Sequence, residues 1–372
     1  MKLKELLKNV EIIDAKNENP ELNIDMVYYN SRKVKEGGLF VAIDGYEVDG
    51  HDYIEDAISR GAVAILVTKD VDFNVPTYKT ENNRKALSIL SNNYYGHPSD
   101  ELKVFGITAS NGKTSTSMML NAILEANNIQ PGLLGTVMYK VGDEEVASKL
   151  TTPESLELQG IFKSMLDEGI DTCVMEVSSV GQEMFRVGGI DFDIVCMNNI
   201  TREHIDQHGS FEKYFEEKQK TITNASEDAF AIINIEDEYA KSLIPKTKAK
   251  VITFSDQDSS ADVYAENKDI SSGFGKFDLV LSDKFTGKEQ RKTIKLNVAG
   301  YQSIVNALSA AAMAASDGID IDTIAKGLEN YRGIERRFEQ IYDDEFKILD
   351  DHFANIENIN MTLQTLSKMD YK

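Results

Sequence analysis

The residues best suited to chemistry lie between positions 106 and 114, in the sequence Gly-Ile-Thr-Ala-Ser-Asn-Gly-Lys-Thr. An apolar run over residues 102–105 precedes them, and a helical pattern over residues 115–127 follows. A loop between a strand and a helix can hold phosphate oxygens with its backbone N–H groups and with the positive end of the helix. Lys113 would add a positive charge there, and Thr114 could reach Mg²⁺. The stretch therefore predicts a nucleotide-binding enzyme.

The same stretch departs from the usual phosphate-loop pattern, G-x-x-x-x-G-K-[ST]. Its first glycine, Gly106, lies one residue too far upstream, and Ile107 occupies the required position. Residues 111–114 alone would also fit a glycine-containing turn before an ordinary helix. The rest of the chain has to distinguish these two interpretations.

The composition limits the classes of protein to which the chain can belong. Its 372 residues suffice for two or three domains, each with its own core. The formal net charge of −22 argues against a surface for nucleic acid. Cys173 and Cys196 are the only cysteines, and no run has the length of a membrane span. We therefore expect a cytoplasmic protein without a membrane partner.

Hydrophobic periodicity divides the chain into three parts of α/β class. Residues 1–98 predict a small N-terminal α/β domain, and residues 92–100 are rich in turn formers and predict a linker. Residues 99–336 predict a P-loop domain with a mostly parallel sheet, plus a small antiparallel sheet over residues 261–298. Residues 337–372 contain one strand and one helix, which predict the truncated start of a third α/β domain. The central strand candidates are residues 103–108, 172–177, 192–197, 229–234 and 250–254.

A carboxylate interrupts the apolar strand candidate at residues 172–177. Glu176 lies near its carboxyl end, and open parallel sheets bind their ligands at carboxyl ends. A buried carboxylate is costly unless it is paired or bound to a metal. Glu176 is therefore a candidate Mg²⁺ ligand, and a partly exposed glutamate at the end of a strand is the alternative.

A polar cluster over residues 198–209 follows the next strand candidate and contains His204 and His208. Its spacing matches no zinc motif, and its oxygen-rich neighbours suit Mg²⁺ better than Zn²⁺. His204 is therefore a second candidate ligand, and a structural histidine at the start of a helix is the alternative.

A lysine shares the apolar face of the helix predicted over residues 211–222. Phe211, Tyr214, Phe215, Lys218 and Ile222 fall on this face. Such a lysine can extend its amine to water along apolar surface. Alternatively, it loses water and acquires a lowered pKa, and a neutral amine can take up CO₂ to form a carbamate, which is a carboxylate on a long arm. Periodicity leaves both possibilities open for Lys218.

These motifs occur in the order found in the Mur ligases, the ATP-dependent amide-forming enzymes of peptidoglycan precursor synthesis, and the chain resembles that family. The matching stretches are residues 30–32, 37–42, 49–51, 106–116, 151–153, 175–179, 199–209 and 212–218. Within the family, the chain is most similar to the ligases that add the third peptide residue to UDP-N-acetylmuramoyl-L-alanyl-D-glutamate. The resemblance implies a monomeric, ADP-forming ligase whose partners are a UDP-muramoyl peptide and a free amino acid.

The resemblance also implies roles for single residues, with ATP and Mg²⁺ as cofactors. Catalytic positions are Lys113, Glu176, His204 and Lys218, and metal positions are Thr114, Glu176, His204 and Lys218, with Lys218 carbamylated. Nucleotide-binding positions are Gly106, Thr108, Asn111, Gly112, Lys113, Thr114, Ser115, Asn306, Arg337 and Asp351. Substrate-binding positions are Ser31, Thr151, Thr152, Ser178 and Arg186.

Several positions depart from the family pattern. Ala109 stands where the family has glycine, so the loop must tolerate a side chain there. Leu150, Val180 and Met184 replace polar residues next to the substrate positions. Two alternatives therefore stay open: a superfamily ligase of folate-polyglutamate or cyanophycin type with a different acid and amine, and a non-catalytic nucleotide-binding chain.

Overall fold

The computed structural model describes residues 1–45, 48–334, 339–343, 346–351, 356–367 and 369. Its helices are α1 Leu3–Leu6, α2 Ile54–Ser59, α3 Asn83–Tyr95, α4 Lys113–Ala126, α5 Ser155–Asp167, α6 Ser179–Glu183, α7 Ile205–His208, α8 Phe211–Thr223, α9 Glu238–Lys241, α10 Asp283–Thr286, α11 Gln302–Ser316, α12 Ile321–Asn330 and α13 Ile356–Leu366. Its strands are β1 Asp14–Lys16, β2 Met26–Tyr28, β3 Gly38–Val41, β4 Ala62–Val67, β5 Thr77–Lys79, β6 Lys103–Thr108, β7 Gly132–Leu134, β8 Met138–Val141, β9 Glu144–Ala147, β10 Thr172–Glu176, β11 Ile194–Met197, β12 Phe230–Asn234, β13 Lys250–Ser255, β14 Val263–Asp269, β15 Phe274–Leu281, β16 Gln290–Ala299, β17 Glu339–Asp343 and β18 Lys347–Asp350. No helix in these ranges combines the length and the apolar character that a membrane crossing requires.

The chain forms two compact units. Unit 1 contains Met1–Leu102, Pro153–Asp167 and Val180–Ile190, and unit 2 contains Lys103–Thr152, Glu168–Ser179 and Asp191–Lys372. The sequence analysis assigned neither of the two later segments of unit 1 to the N-terminal domain. Assigning these two segments to unit 1 requires knowledge of contacts between residues that are distant in sequence, and hydrophobic periodicity within a segment carries no such information. The prediction that residues 337–372 begin a third domain stays a prediction.

Unit 1 is a small α/β structure built on a five-stranded sheet in the order β1-β5-β4-β3-β2. The strands β2 to β5 are parallel to their neighbours, and β1 is antiparallel to β5. β3 and β4 are continuous apolar runs because helices cover both faces of the sheet. α3 packs against α5, where a side chain at Gly160 would lie 2.9 Å from the Tyr95 hydroxyl.

The prediction of a linker over residues 92–100 is wrong at its start, because α3 continues to Tyr95 and ends at the left-handed Gly96. Asn92 and Asn93, which favour turns in isolation, use their side chains for tertiary hydrogen bonds. The Asn93 amide donates to the backbone carbonyls of Leu6 and Lys8, at 2.8 Å each. These bonds outweigh the weak helix propensity of asparagine.

Unit 2 is built on an eleven-stranded sheet in the order β16-β15-β14-β13-β12-β11-β6-β10-β7-β8-β9. The strands from β14 to β7 are parallel, and the strands at both edges are antiparallel. The prediction of a mostly parallel sheet with a small antiparallel part is confirmed, and the five central strand candidates agree with β6, β10, β11, β12 and β13 to within two residues.

The core of unit 2 lies between this sheet and the helices α4, α11 and α12. α11 is rich in alanine and almost completely buried. Gly327 of α12 approaches α4 so closely that an added side chain would lie 2.4 Å from the Ile123 Cα atom. Small residues therefore allow these helices to support α4, the helix that follows the candidate phosphate loop.

Candidate active site

Three neighbouring parallel strands, β10, β6 and β11, end at the same edge of the unit 2 sheet. β6 leads into the loop of residues 109–112 and then into α4. β10 ends at Glu176, and β11 is followed by the polar segment that contains His204. Ligands of open parallel sheets bind at such carboxyl ends, so the topology collects the candidate residues of unit 2 at one edge.

Gly112 closes the loop with a backbone conformation that other residues rarely adopt. Its φ is 89°, and a side chain there would lie 2.3 Å from the Asn306 Oδ1 atom. Asn306 is buried on α11, and this oxygen has no hydrogen-bond partner among the described residues. The predicted nucleotide-binding residue Asn306 thus lies directly beside the predicted phosphate loop.

The loop is held in place by the segment after β11. The backbone N–H of Asn111 donates to Asn199 Oδ1 at 2.8 Å, and the Asn199 side-chain amide donates back to the Asn111 carbonyl at 2.9 Å. The Ser110 hydroxyl lies 2.7 Å from the Tyr214 hydroxyl and accepts from the Thr201 backbone N–H at 2.8 Å. These bonds between protein groups give the loop a defined shape.

Two lysines donate to the same backbone carbonyl, that of Ala109. The Lys113 Nζ atom lies 2.7 Å from this oxygen, and the Lys218 Nζ atom lies 2.6 Å from it. Ala109 is fully buried and has no positive φ, so the loop accepts its side chain without backbone strain. Lys218 is 2% exposed. The interpretation in which its amine extends to water is therefore wrong, whereas Lys213 on the same helix is exposed.

Burial lowers the pKa of Lys218 well below its usual value. The nearby positive charge of Lys113 lowers this pKa further, and the carboxylates of Glu203 and Glu176 oppose the shift. The amine of Lys218 is therefore biased towards its neutral form, which is the form that reacts with CO₂.

Glu176 is completely buried, so the alternative of an exposed glutamate is excluded. Its carboxylate accepts from the Thr136 backbone N–H at 2.9 Å, from the Thr136 hydroxyl at 3.0 Å and from the Thr114 hydroxyl at 3.2 Å. A side chain at Gly135 would lie 2.4 Å from the carboxylate. Glu176 is thus joined to Thr114 in the first turn of α4, and the two predicted metal ligands lie side by side.

His204 precedes α7 with a φ of 51°, which is uncommon for a residue other than glycine. Partial loss of water around the ring lowers the pKa of His204, and the positive charges of Lys218 and Lys113 lower it further, against the opposing effect of Glu203. A neutral imidazole is the form that binds metals. His208 differs, because it is buried and its Nε2 atom lies 3.0 Å from the Ser179 hydroxyl.

The other residues predicted to bind the nucleotide lie in different parts of the structure. Thr108 ends β6 with a buried hydroxyl that lacks a partner among the described residues, and Ser115 lies in the first turn of α4. Gly106 lies inside β6, in agreement with the strand candidate at residues 103–108, and its missing side chain makes room for the Phe192 ring. Asp351 accepts a hydrogen bond from the Thr362 hydroxyl at 2.6 Å. Arg337 lies outside the described residues.

The predicted substrate residues of unit 2 adjoin Glu176. The Thr152 hydroxyl donates to the Glu176 backbone carbonyl at 2.9 Å and accepts from the Ser178 backbone N–H at 3.1 Å. The Thr151 hydroxyl lies 3.1 Å from the Thr136 hydroxyl, which itself contacts the Glu176 carboxylate. Candidate substrate and metal residues therefore belong to one hydrogen-bonded network.

Unit 1 contains a cavity with a volume of about 370 Å³, which falls within the usual range for small-molecule sites. Its lining consists of Tyr29, Asn30, Ser31, Arg32, Phe40, Ile43, Gly45, Val48, Gly50, Tyr53, Arg84 and Glu154. The predicted substrate residue Ser31 is therefore part of its wall. Arg186, the other predicted substrate residue of this unit, forms an ion pair with Glu154 at 2.9 Å.

One cluster of three metal-capable acidic and histidine side chains occurs within the described ranges, and it consists of Asp44, Asp49 and His51. The Lys69 ammonium group contacts both carboxylates and compensates one of their two negative charges. His51 Nδ1 lies 2.7 Å from Asp49, and its Nε2 accepts from the Thr68 backbone N–H at 3.0 Å. This cluster braces the loop whose Gly45 and Val48 line the cavity.

Two family models match the chain. The "Mur ligase middle domain" matches residues 107–314, and the "Mur ligase family, catalytic domain" matches residues 23–95.

The chain belongs to the Mur ligase family.

Curated relatives and solved structures agree with this assignment. The UDP-N-acetylmuramoyl-L-alanyl-D-glutamate--2,6-diaminopimelate ligase of Clostridium botulinum is 38% identical over 379 residues, which cover 99% of this chain and 76% of the relative. The ligase of the same name from Clostridium tetani is 35% identical over 373 residues, covering 98% and 75%. A solved structure of a ligase with this name has a TM-score of 0.84 at 22% identity, covers 100% of this chain and 75% of its own, and shows likeness of fold.

Sequence reasoning missed several residues of this Mur ligase that shape the site. Thr136 supplies two of the three hydrogen bonds to the Glu176 carboxylate, and Gly135 makes room for it. Both follow β7, a strand of three residues that is too short for a periodic pattern. The only signal was the pair Leu133 and Leu134, which directly precedes these two residues. Asn199 and Tyr214, which fix the loop, carried no signal beyond their polarity and their place near motifs.

Replacing Gly112 with alanine should destabilise this Mur ligase and weaken ATP binding. The positive φ costs about 1–3 kcal/mol for alanine, and the clash with Asn306 should add about 1–3 kcal/mol. Gly318→Ala is the matched control, because Gly318 has a φ of 85° with no atom within 4 Å of an added side chain. Urea unfolding of both variants measures the difference, and equal losses of stability would contradict the steric argument.

Proposed function

We propose that this Mur ligase uses ATP to join an amino acid to UDP-N-acetylmuramoyl-L-alanyl-D-glutamate in peptidoglycan precursor synthesis. The curated relatives carry this acid substrate in their names. The observation that carries the proposal is the meeting of Lys113, Lys218 and Glu176 around one loop at the carboxyl edge of the sheet. Their names also give 2,6-diaminopimelate, which is the first amino acid to test.

ATP and Mg²⁺ fit the residues at this edge. The buried hydroxyl of Thr108 and the buried Asn306 oxygen lack partners among the described residues, so the surroundings of the loop have polar atoms to offer a nucleotide. Thr114, Glu176, His204 and Lys218 would hold the metal, with Lys218 as its carbamate. When bound, Mg²⁺ supplies positive charge that offsets the crowded negative charges of ATP and substrate.

Lys218 is the residue whose chemistry depends most on its surroundings. Its neutral amine would attack CO₂ and lose one proton, and the resulting carbamate would carry a negative charge on an extended side chain. The buried position protects this carbamate from water, and the nearby ammonium group of Lys113 stabilises its charge. The Lys218 Nζ atom lies over the Tyr214 ring, 5.1 Å from its centroid, and this contact restricts the direction of the arm.

The reaction would proceed through an acyl phosphate. The terminal carboxylate of the muramoyl peptide attacks the γ-phosphorus of ATP, ADP leaves, and the amine of the incoming amino acid then attacks the activated carbonyl. Loss of inorganic phosphate leaves the amide. Lys113 and the N–H groups at the start of α4 stabilise the charge on the transferred phosphoryl group.

The substrate residues divide into two sets in this proposal. In unit 1, the cavity that contains Ser31 would take the UDP group, because its walls combine apolar side chains with polar and charged ones. Arg186 would bind an anionic group of the same substrate. In unit 2, Thr151, Thr152 and Ser178 adjoin Glu176 and would orient the carboxylate to be activated. The two buried, free cysteines suit a reduced, cytoplasmic setting.

Mass spectrometry of the reaction product tests the proposal. The protein is incubated with ATP, Mg²⁺, UDP-N-acetylmuramoyl-L-alanyl-D-glutamate and a pool containing diaminopimelate, lysine and the common amino acids. We expect one UDP-muramoyl tripeptide together with ADP. A parallel reaction with a folate substrate tests the alternative ligase type. Product from folate alone, or nucleotide binding without any effect of the UDP-muramoyl peptide on ADP release, would contradict the proposal.

A further inference from the structure

A buried asparagine directly after β11 joins three other elements of unit 2. The Asn198 side-chain amide donates to the Thr116 hydroxyl of α4 at 2.9 Å, and the Asn198 Oδ1 atom accepts from the Ser309 hydroxyl of α11 at 2.6 Å. The Asn198 backbone carbonyl accepts from the side-chain amide of Asn234, at the end of β12, at 2.8 Å. Asn198, Thr116 and Ser309 are completely buried. A polar bridge of these three side chains therefore connects α4 to α11 inside the core.

This bridge lies one helical turn away from the contact between Gly112 and Asn306. The Thr116 backbone N–H donates to the Gly112 carbonyl at 2.9 Å, and Ser309 follows Asn306 by three residues on α11. Residues three or four apart lie on the same face of a helix. The two helices are therefore joined at two levels, by the close approach of Gly112 to the Asn306 Oδ1 atom and, one turn further along, by Asn198.

The Asn306 side chain is held in an unfavourable environment. It is 4% exposed, and its Oδ1 atom has no hydrogen-bond partner among the described residues. A buried acceptor without a partner lowers stability, so a shift of α11 that gave this oxygen a partner would be favourable. The buried alanines of α11 oppose such a shift only weakly, because apolar contacts are not directional. Hydrogen bonds are directional, and a satisfied buried polar network fixes one arrangement of the core.

The chemistry of the Asn306 oxygen indicates which part of a nucleotide it would contact. A carbonyl oxygen accepts hydrogen bonds and so cannot bind a phosphate oxygen, whereas the sugar hydroxyls and the amino group of the base can donate to it. The phosphates would lie at Lys113 and the N–H groups of the loop. The distance between α4 and α11 therefore determines whether the two halves of one nucleotide can be bound together.

We propose that Asn198 is a positioning residue of the nucleotide site, which holds α11 against α4 so that the Asn306 oxygen meets the nucleoside half of ATP. The inference rests on the proposed function, which places ATP at this loop. Asn198 acts through Thr116 and Ser309 and does not touch the ligand. Its neighbour Asn199 fixes the loop itself through Asn111, so two consecutive asparagines position both halves of the site.

Binding of ADP and of inorganic pyrophosphate, measured by calorimetry on the 372-residue protein, tests this role. Both ligands carry the diphosphate, so the ratio of their dissociation constants reports the nucleoside half alone. Asn198→Leu keeps the branched shape of the side chain and removes both hydrogen bonds of the bridge. We expect it to lower the preference for ADP about tenfold and to leave pyrophosphate binding unchanged, since one hydrogen bond to the nucleoside is lost.

A second variant approaches the bridge from α11. Ser309→Ala removes the hydroxyl that donates to Asn198 and should lower the preference for ADP about threefold, because the bond to Thr116 remains. Ser316→Ala is the matched control. Ser316 loses the same hydroxyl from the same helix, where it donates to the Ala312 carbonyl of α11 itself at 2.8 Å. It should leave the binding of both ligands unchanged.

A triple variant separates positioning from stability. Thr116→Val, Asn198→Leu and Ser309→Ala together replace the bridge with apolar groups of similar shape. The urea midpoint should fall in Asn198→Leu, which leaves two hydroxyls without their partner, and should recover in the triple variant, because replacing all partners of a buried hydrogen bond can be nearly neutral. The preference for ADP should stay low in the triple variant, since apolar contacts do not fix the position of α11.

The outcomes distinguish the role of Asn198 from the proposed function. A preference for ADP that recovers together with the urea midpoint in the triple variant would show that Asn198 only stabilises the fold. Equal weakening of ADP and pyrophosphate by Asn198→Leu and Ser309→Ala would also overturn its role, while the loop remains the nucleotide site. If the wild type binds neither ADP nor pyrophosphate, the nucleotide site of the proposed function fails, and the role of Asn198 fails with it.

Discussion

Replacing Lys218 with methionine should reduce ligase turnover by about 10²- to 10³-fold while leaving the protein as stable as the wild type or more stable. Methionine has no amine, so the variant cannot form a carbamate at this position. Removing one preorganised charged group from an active site typically lowers turnover by about 10²- to 10³-fold. Stability should not fall, because methionine fills a similar volume beside Tyr214 and needs no water or partner. The Ala109 carbonyl keeps the hydrogen bond from Lys113.

The measurement combines ADP release with urea unfolding, the latter in EDTA and without bicarbonate so that neither metal nor carbamate contributes. Lys213→Met is the matched control, because Lys213 lies on the same helix and is exposed. It should change neither turnover nor stability by much. Acetate, a small carboxylate, should restore part of the turnover of Lys218→Ala, because alanine, unlike methionine, leaves room for it. A variant that loses stability and activity together would indicate that Lys218 is a structural lysine.

The pH dependence of this stability difference has a defined sign. The folded pKa of Lys218 is lowered, whereas the unfolded value is about 10.4. Between these two values the unfolded wild-type chain binds one proton more than the folded chain, so this group makes wild-type stability rise with pH. Lys218→Met lacks this contribution. Its advantage in stability should therefore be greatest at the lower end of this window and should shrink as the pH approaches 10.

The fold of this site could be predicted where the information is local. β6, the loop and α4 are contiguous, and the switch from an apolar run to a helical period marks their boundaries within two residues. Helical periodicity placed Lys218 on the face that includes Tyr214 and Ile222, both fully buried, but it left open whether the amine of Lys218 reaches water. Helices of more than about one turn and strands of about five residues or more are long enough to show hydrophobic periodicity in the sequence.

What could not be predicted depends on contacts between distant segments. Glu154 and Arg84 are separated by 70 residues, and neither belongs to a recognisable motif. Gly106 shows another limit, because the resemblance gave it a nucleotide-binding role without reporting that, inside β6, it lies against Phe192. Glycine in a motif therefore has two possible physical roles, and only the packing around it tells which one applies.

Replacing Glu176 with glutamine should raise the Mg²⁺ concentration required for half-maximal turnover at least tenfold and lower maximal turnover by about 10²-fold. The change removes a negative charge but keeps the shape of the side chain. Glutamine still offers one oxygen to the Thr136 backbone N–H, and its amide can donate to the hydroxyls of Thr136 and Thr114, because hydroxyl groups also accept hydrogen bonds. The fold should therefore survive the substitution.

Titration of turnover with Mg²⁺, alongside urea unfolding, separates the loss of charge from the loss of structure. Glu145→Gln is the control, since Glu145 undergoes the same chemical change on the exposed strand β9. If Glu176 is a metal ligand, the Mg²⁺ requirement shifts only in Glu176→Gln, and higher Mg²⁺ recovers part of the loss. If turnover fell by the same factor at every Mg²⁺ concentration, Glu176 would instead act by holding Thr114 and Thr136 in place. In the glutamine variant the hydroxyls of Thr114 and Thr136 both keep a hydrogen-bond partner. We therefore expect the shift in Mg²⁺ requirement and not a uniform loss of turnover.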